Sequence, residues 1–261
     1  MVFLAVIATA LRRWRPIRAT LNRRTATWLI GAAVLLALNW SVYVYAITSN
    51  QVVEASLGYF INPLVTVILA VVVLRERLLA VQWLAVALAG IGVVIITLSA
   101  GAAPWIGLAL AFTFGIYGLI RKHVSLGALE GLTIESGVLF PVAALFLVVT
   151  GTGLQGSGSS SGISTVLLLA LAGPITVIPL LGFGAAAQRL PLATLGLLQY
   201  ICPTIVFILG LTVFDEPMTW GEWWGFGCIW AALIALTSSM LRHPSRSQRD
   251  VEREITSLEA T

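Results

Sequence analysis

Glu54-Ala-Ser-Leu-Gly-Tyr-Phe-Ile-Asn-Pro-Leu-Val-Thr-Val-Ile-Leu-Ala-Val-Val-Val-Leu-Arg-Glu-Arg77 is a membrane-length apolar run, interrupted near its centre by Asn62-Pro63 and closed by charge. The twenty residues from Ala55 to Leu74 cross a hydrocarbon core of about 30 Å at about 1.5 Å per residue, which puts Pro63 close to the middle of the crossing. Proline has no N–H, so the carbonyl of Tyr59, one turn earlier, loses its helical partner. An unpaired carbonyl facing lipid is costly, and such a break is expected only where protein, a ligand or a water-filled cavity supplies a partner. The stretch therefore reads as one wall of a pathway through a membrane.

The same pattern returns 140 positions later: Gln199-Tyr-Ile-Cys-Pro203 stands against Tyr59-Phe-Ile-Asn-Pro63, Asp215-Glu216 against Arg75-Glu76, and Trp223 against Trp83. Proline, glutamate and tryptophan holding one register over two helices indicate an internal duplication. The chain is read as a first repeat over 1–100, a second over 101–241, and a polar tail over 242–261.

Composition sets the solvent. With 59% hydrophobic and 10% charged residues and a mean hydropathy of +0.98, the chain is far more apolar than a soluble domain, whose charged fraction is about 25%. It is expected to be a multi-pass membrane protein in contact with the lipid bilayer. The basic pI of about 9.5 does not point to nucleic acid, because the arginines sit in short loops between apolar runs, where positive charge fixes orientation. Cys202 and Cys228 lie inside apolar runs and read as small packing residues, with no metal site or disulfide framework.

Apolar runs follow at about 27–48, 55–74, 79–98, 105–120, 132–149, 165–182, 192–214 and 223–240, after a short fragment at 1–11. If successive runs alternate direction, all fifteen Lys and Arg residues fall on one side. That side is expected to be cytoplasmic and to hold the C-terminus. Glu76 then lies inside and Glu216 outside, so the halves are inverted, as in many secondary transporters. Moving the second half back 140 positions carries its first helix before Met1 and its second across the chain start. The expected fold is all-α: two inverted five-helix repeats of a ten-helix design lacking the first helix and part of the second, with about nine helical segments here. The 151–162 stretch, rich in Gly and Ser, reads as an exposed tether.

Glu54-Ala-Ser-Leu-Gly-Tyr-Phe-Ile-Asn-Pro-Leu64, Arg75-Glu-Arg77, Tyr117-Gly-Leu-Ile-Arg-Lys122, Ile134-Glu135, and Thr194-Leu-Gly followed by Gln199-Tyr-Ile-Cys-Pro-Thr204 together resemble the RarD-type proteins of the EamA group, within the drug/metabolite transporter superfamily. The resemblance covers essentially the whole chain. It implies ten helices in two inverted repeats, a bacterial cytoplasmic-membrane location, and export-type transport of a small-molecule substrate without a cofactor.

Candidate site residues follow from polarity at depth. Asn62 and Pro63 with Tyr59, and Gln199, Tyr200 and Pro203 in the second repeat, are expected to line a midplane cavity; the alternative is a pair of kinks satisfied by neighbouring helices. Asn39 and Tyr43, at i and i+4, share a face that either meets the cavity or bonds another helix. Tyr117 either lines the cavity's cytoplasmic exit or packs between helices. Glu135 is a candidate proton or cation relay, or else the structural partner of Arg121 or Lys122. Glu54 reads as a cap, Glu76 and Glu216 as polar ends of their helices, and Trp83, Trp220, Trp223 and Trp224 as an interfacial belt.

A secondary carrier working by alternating access is the expected function. No phosphate-cradling Gly loop points to nucleotide-driven transport. An integral-membrane enzyme would need converging nucleophile, acid–base or metal-ligand residues, and the sequence carries no such cluster. A non-transporting membrane chaperone or sensor is the other alternative.

Overall fold

The computed structural model describes residues 2–14, 22–101, 105–124, 126–150, 163–213 and 219–242. Glu216, the 151–162 stretch and the tail beyond 242 lie outside these residues, and so does the Glu54 side chain.

The described chain is helical throughout: α1 (Val2–Ala10), α2 (Arg23–Thr48), α3 (Val52–Val72), α4 (Ala80–Ala100), α5 (Trp105–His123), α6 (Ala128–Thr150), α7 (Ile163–Arg189), α8 (Leu192–Leu198), α9 (Ile201–Val213) and α10 (Trp220–Arg242). Six of them, α2 to α7, contain an apolar segment long enough to cross a membrane. Their lipid-type faces are large and apolar, with Leu98 76%, Val148 79% and Ile178 65% exposed. In water such surface would drive aggregation; in hydrocarbon it costs nothing, and the molecule is a multi-pass membrane protein.

Local signals set the helix ends. Asn22 caps α2 by accepting the Thr25 N–H at 2.7 Å. Asn50, with φ 57°, turns the chain between α2 and α3 in the left-handed region that asparagine tolerates. Gln82 Oε1 accepts the Leu79 N–H at 2.9 Å at the start of α4, and Gly101 ends that helix at φ 60°. Moved back 140 positions, α7 covers 23–49, α8 to α9 cover 52–73, and α10 covers 80–102, each within two residues of the ends of α2, α3 and α4.

Packing centres on α3, which lies against α5 on one side and α8 on another, while α4 runs along α10. Leu57, Ile61, Val65, Leu195, Tyr200, Phe226 and Ile229 belong to one buried cluster that joins these helices. The α4–α10 crossing is closed at Gly92 and Gly225: a Cβ on Gly92 would lie 2.6 Å from the Gly225 carbonyl oxygen. Backbone approach of that kind gives membrane helices the dispersion contact that a hydrophobic driving force gives in water.

Two features differ from the expectation of a matched pair of broken helices. The α3 helix runs unbroken through Pro63. The expected single run at 192–214 is instead two helices, interrupted at Gln199-Tyr200. There the Gln199 carbonyl, which Pro203 cannot bond, accepts the Cys202 N–H at 3.1 Å in a tighter turn. One proline is thus absorbed within a continuous helix, and the other ends one helix and starts the next.

Candidate functional site

The α3 and α8 helices cross where Gly196 meets Pro63; a Cβ on Gly196 would lie 2.9 Å from the Pro63 carbonyl oxygen. That approach brings the two proline motifs together. Asn62 Nδ2 donates to Gln199 Oε1 at 2.5 Å. Tyr200 Oη donates to the Phe60 carbonyl at 3.1 Å, and these two residues are 140 positions apart.

Beside this crossing lies a cavity of about 310 Å³, walled by α2, α3, α5, α7 and the α8–α9 turn. Of the residues expected there, Asn39, Tyr43, Tyr59, Asn62, Gln199 and Pro203 line it. Trp40, Phe114, Pro179, Leu180 and Phe183 also line it and were not singled out as cavity residues from the sequence, and Cys202, read there as a packing residue, is exposed on the cavity wall. Aromatic and aliphatic residues in an apolar span carry no signal that separates cavity wall from lipid face. Asn39 bonds a neighbouring helix as well: its Nδ2 donates to the Leu110 carbonyl at 2.9 Å and to Thr113 Oγ1 at 2.8 Å. Tyr43 and Tyr59 meet edge to face with ring centres 6.5 Å apart.

Pro63, Tyr200 and Tyr117 are placed elsewhere than the cavity wall. Pro63 is taken up at the α3–α8 crossing, and Tyr200 is buried in the central cluster. Tyr117 belongs to a separate buried group. Its Oη donates to Glu135 Oε2 at 3.2 Å, while Arg121 Nη1 donates to Glu135 Oε1 at 3.2 Å. Arg121 and Glu135 side chains are 1% and 0% exposed. Arg121 Nη2 also donates to the Ala128 carbonyl at 3.2 Å. Glu135 therefore sits in an ion pair between α5 and α6 and does not line the cavity.

Glu76, read from the sequence as a polar helix end, does more. Its Oε1 and Oε2 accept the Leu192 and Ala193 N–H groups at 2.8 and 3.0 Å. Glu76 lies not at a helix end but in the connection between α3, which stops at Val72, and α4, and its carboxylate satisfies two free donors of the first turn of α8. Lys122 Nζ lies 3.7 Å from Glu76 Oε1 and donates to the Leu190 carbonyl at 2.6 Å. Among the described residues, no group of three or more His, Cys, Asp or Glu could hold a metal ion.

The described residues thus form a helical multi-pass membrane bundle with a half-open cavity lined by uncharged side chains. Residues 1–98 match the EamA-like transporter family. Protein RarD of Streptomyces exfoliatus is 46% identical over 93% of this chain and 78% of its own length. Protein RarD of Escherichia coli (strain K12) is 40% identical over 95% of this chain and 84% of its own. An uncharacterized transporter of Bacillus subtilis is 42% identical, covering 92% and 82%. The chain belongs to the EamA-like transporter family, in its RarD group. A solved crystal structure 18% identical in sequence superposes with a TM-score of 0.57, over 82% of this chain and 86% of that one, a likeness of fold alone.

Proposed function

We propose that this protein is a secondary carrier that exports a small molecule across a bacterial cytoplasmic membrane by alternating access, with the solute held in the cavity beside Asn62 and Gln199. The observation that carries the reading is the inter-helix amide bond at the cavity wall: two polar side chains, from segments that coincide under the 140-residue offset, meet near the middle of those segments beside an open volume. Polar groups at that depth are expensive unless function retains them. Two inverted repeats, over 1–100 and 101–241, are the arrangement that lets one site face either side as one half rocks against the other. The basic loops and the C-terminus are cytoplasmic in this reading, following the positive-inside asymmetry.

Flux of a labelled solute in proteoliposomes tests it. Asn62→Ala and Gln199→Ala are expected to insert normally and to lower transport, each leaving the opposite amide without its partner. Wild-type rates in both variants would refute the cavity assignment. Reporter fusions after Arg77 and Arg121 are expected to read cytoplasm, and fusions at Asn50 and Ser159 the outside. Two reversed assignments would refute the inverted arrangement.

A further inference from the structure

We infer that the Asn62–Gln199 pair selects uncharged solutes that carry a hydrogen-bond donor and an acceptor side by side, as a carboxamide or lactam does, and that such a group binds by exchanging with the bond between the two side chains. The inference rests on the carrier reading above and adds the substrate class.

Among the described residues, no Asp, Glu, Lys, Arg or His lines the cavity. A solute bearing net charge would have to give up its hydration there without a counter-charge, and at membrane depth that penalty is severe. The polarity available is that of amides. In the pair, Asn62 Nδ2 is donor and Gln199 Oε1 acceptor, and the other two polar atoms, Asn62 Oδ1 and Gln199 Nε2, are buried without a protein partner. Turning both amides end for end changes nothing essential: one carbonyl oxygen and one NH2 group still remain free. The free set is always one acceptor and one donor. Its complement is a ligand edge with one donor and one acceptor.

A third buried polar atom without a partner, Thr66 Oγ1, lies one helical turn beyond Asn62 on α3, where a Cβ added at Gly196 would come within 3.1 Å of Thr66 Cβ. Leaving a buried polar atom unbonded is costly. Three on one α3–α8 seam mark a place that is hydrated or ligand-bonded in another state. A solute that replaces the Gln199 carbonyl on Asn62 both satisfies the free atoms and removes a bond that holds α3 to the α8–α9 turn. Recognition and release of that seam are then one event.

Benzamide, benzamidinium and benzoate share one shape and differ only in the polar edge: donor with acceptor, two donors with positive charge, two acceptors with negative charge. Binding of each to the purified chain in nanodiscs is read from thermal shift and titration. Wild type is expected to bind benzamide at millimolar concentration and to bind both ions about tenfold or more weakly, the equivalent of about one unmatched hydrogen bond. Asn62→Leu and Gln199→Leu are expected to lose the preference. Asn62→Asp is expected to reverse it in favour of benzamidinium, a change that a merely structural role would not produce. Tightest wild-type binding of either ion, no benzamide binding, or an Asn62→Asp variant with unchanged preference would overturn the inference. Selective benzamide binding without flux of any solute in proteoliposomes would instead remove the carrier reading and leave the amide site standing.

Discussion

Replacing Glu135 by alanine is the sharpest test of how the bundle is held. The carboxylate is fully buried and bonded by Arg121 at 3.2 Å and by Tyr117 at 3.2 Å. Its removal leaves a guanidinium, itself 1% exposed, with no counter-charge. Breaking a buried pair from one side costs about 3–5 kcal/mol. The Ala128 carbonyl still accepts from Arg121 and argues for the lower part of that range; the orphaned Tyr117 hydroxyl adds about 1–3 kcal/mol and argues for the upper. Glu135→Gln keeps a carbonyl oxygen for either donor and should cost less. Arg121→Met and Glu135→Leu combined with Tyr117→Phe removes both charges and the hydroxyl that would be left unbonded, and is expected to lie within about 1 kcal/mol of wild type, or above it. Reversible unfolding in bilayer-like micelles measures all three. A loss below about 1 kcal/mol for Glu135→Ala would refute the buried-pair account. A pH profile of flux that changes in Glu135→Gln while stability holds would assign Glu135 to proton transfer.

Gly131→Ala places a methyl carbon 1.7 Å from Arg121 Nη1; the guanidinium must move, and the unfolding transition should fall with it, whereas Gly90→Ala, with nothing within 4 Å, should be neutral. Gly196→Ala drives a methyl group into the Pro63 carbonyl oxygen at 2.9 Å and is expected to abolish flux while leaving membrane insertion intact, checked by proteoliposome uptake against expression level. Glu76→Ala uncovers two N–H groups at the start of α8 and should cost about 0.5–2 kcal/mol in the same unfolding assay; no change would mean that water replaces the cap.

The membrane class and the shared register of the two proline-bearing segments were legible because they rest on length, hydropathy and spacing, which are local or periodic. What each proline does was not. Pro63 and Pro203 occupy equivalent positions, yet α3 is continuous and the second helix breaks at Gln199-Tyr200. The difference lies in how the freed carbonyl is satisfied, here by the Cys202 N–H, and no spacing rule reports that. Glu76 was read as a polar end because its partners, Leu192 and Ala193, are 116 and 117 residues away. The Tyr117–Arg121–Glu135 group carried a usable signal. Tyr117 and Arg121 are four apart and share a face, and an acid one turn inside the next helix stands at the same depth. Trp40, Phe114 and Phe183 carried none.

The buried charges do not line the cavity, although Tyr117, which bonds Glu135, packs on Phe114 and Phe183 of its wall. Arg121–Glu135, Lys122–Glu76 and Arg13–Glu130 all lie where α5 ends and α6 and α8 begin. Gln188 Nε2 bonds the Leu126 carbonyl at the same end. The cavity residues of α2, α3 and α5, among them Tyr43, Ala55, Tyr59 and Leu110, lie from mid-helix toward the opposite end, near the Asn50 turn. In the carrier proposed above, a solute leaving toward the charged end must part α3 from α8, and the bonds in its way are the Asn62–Gln199 amide bond, the Tyr200–Phe60 bond and the Glu76 cap. None joins two fully buried charges, so each can be exchanged for water or ligand at about 0.5–1.5 kcal/mol net, unlike the Arg121–Glu135 pair. The carrier proposed above is therefore expected to move at the α3–α8 seam, with the α5–α6 pair in the part that stays fixed. Paired cysteines make the distinction measurable: Thr66→Cys with Gly196→Cys, once crosslinked, should stop transport, while a crosslink between α5 and α6 near Tyr117 and Glu135 should spare it. Equal inhibition by both crosslinks would refute the assignment of the moving seam.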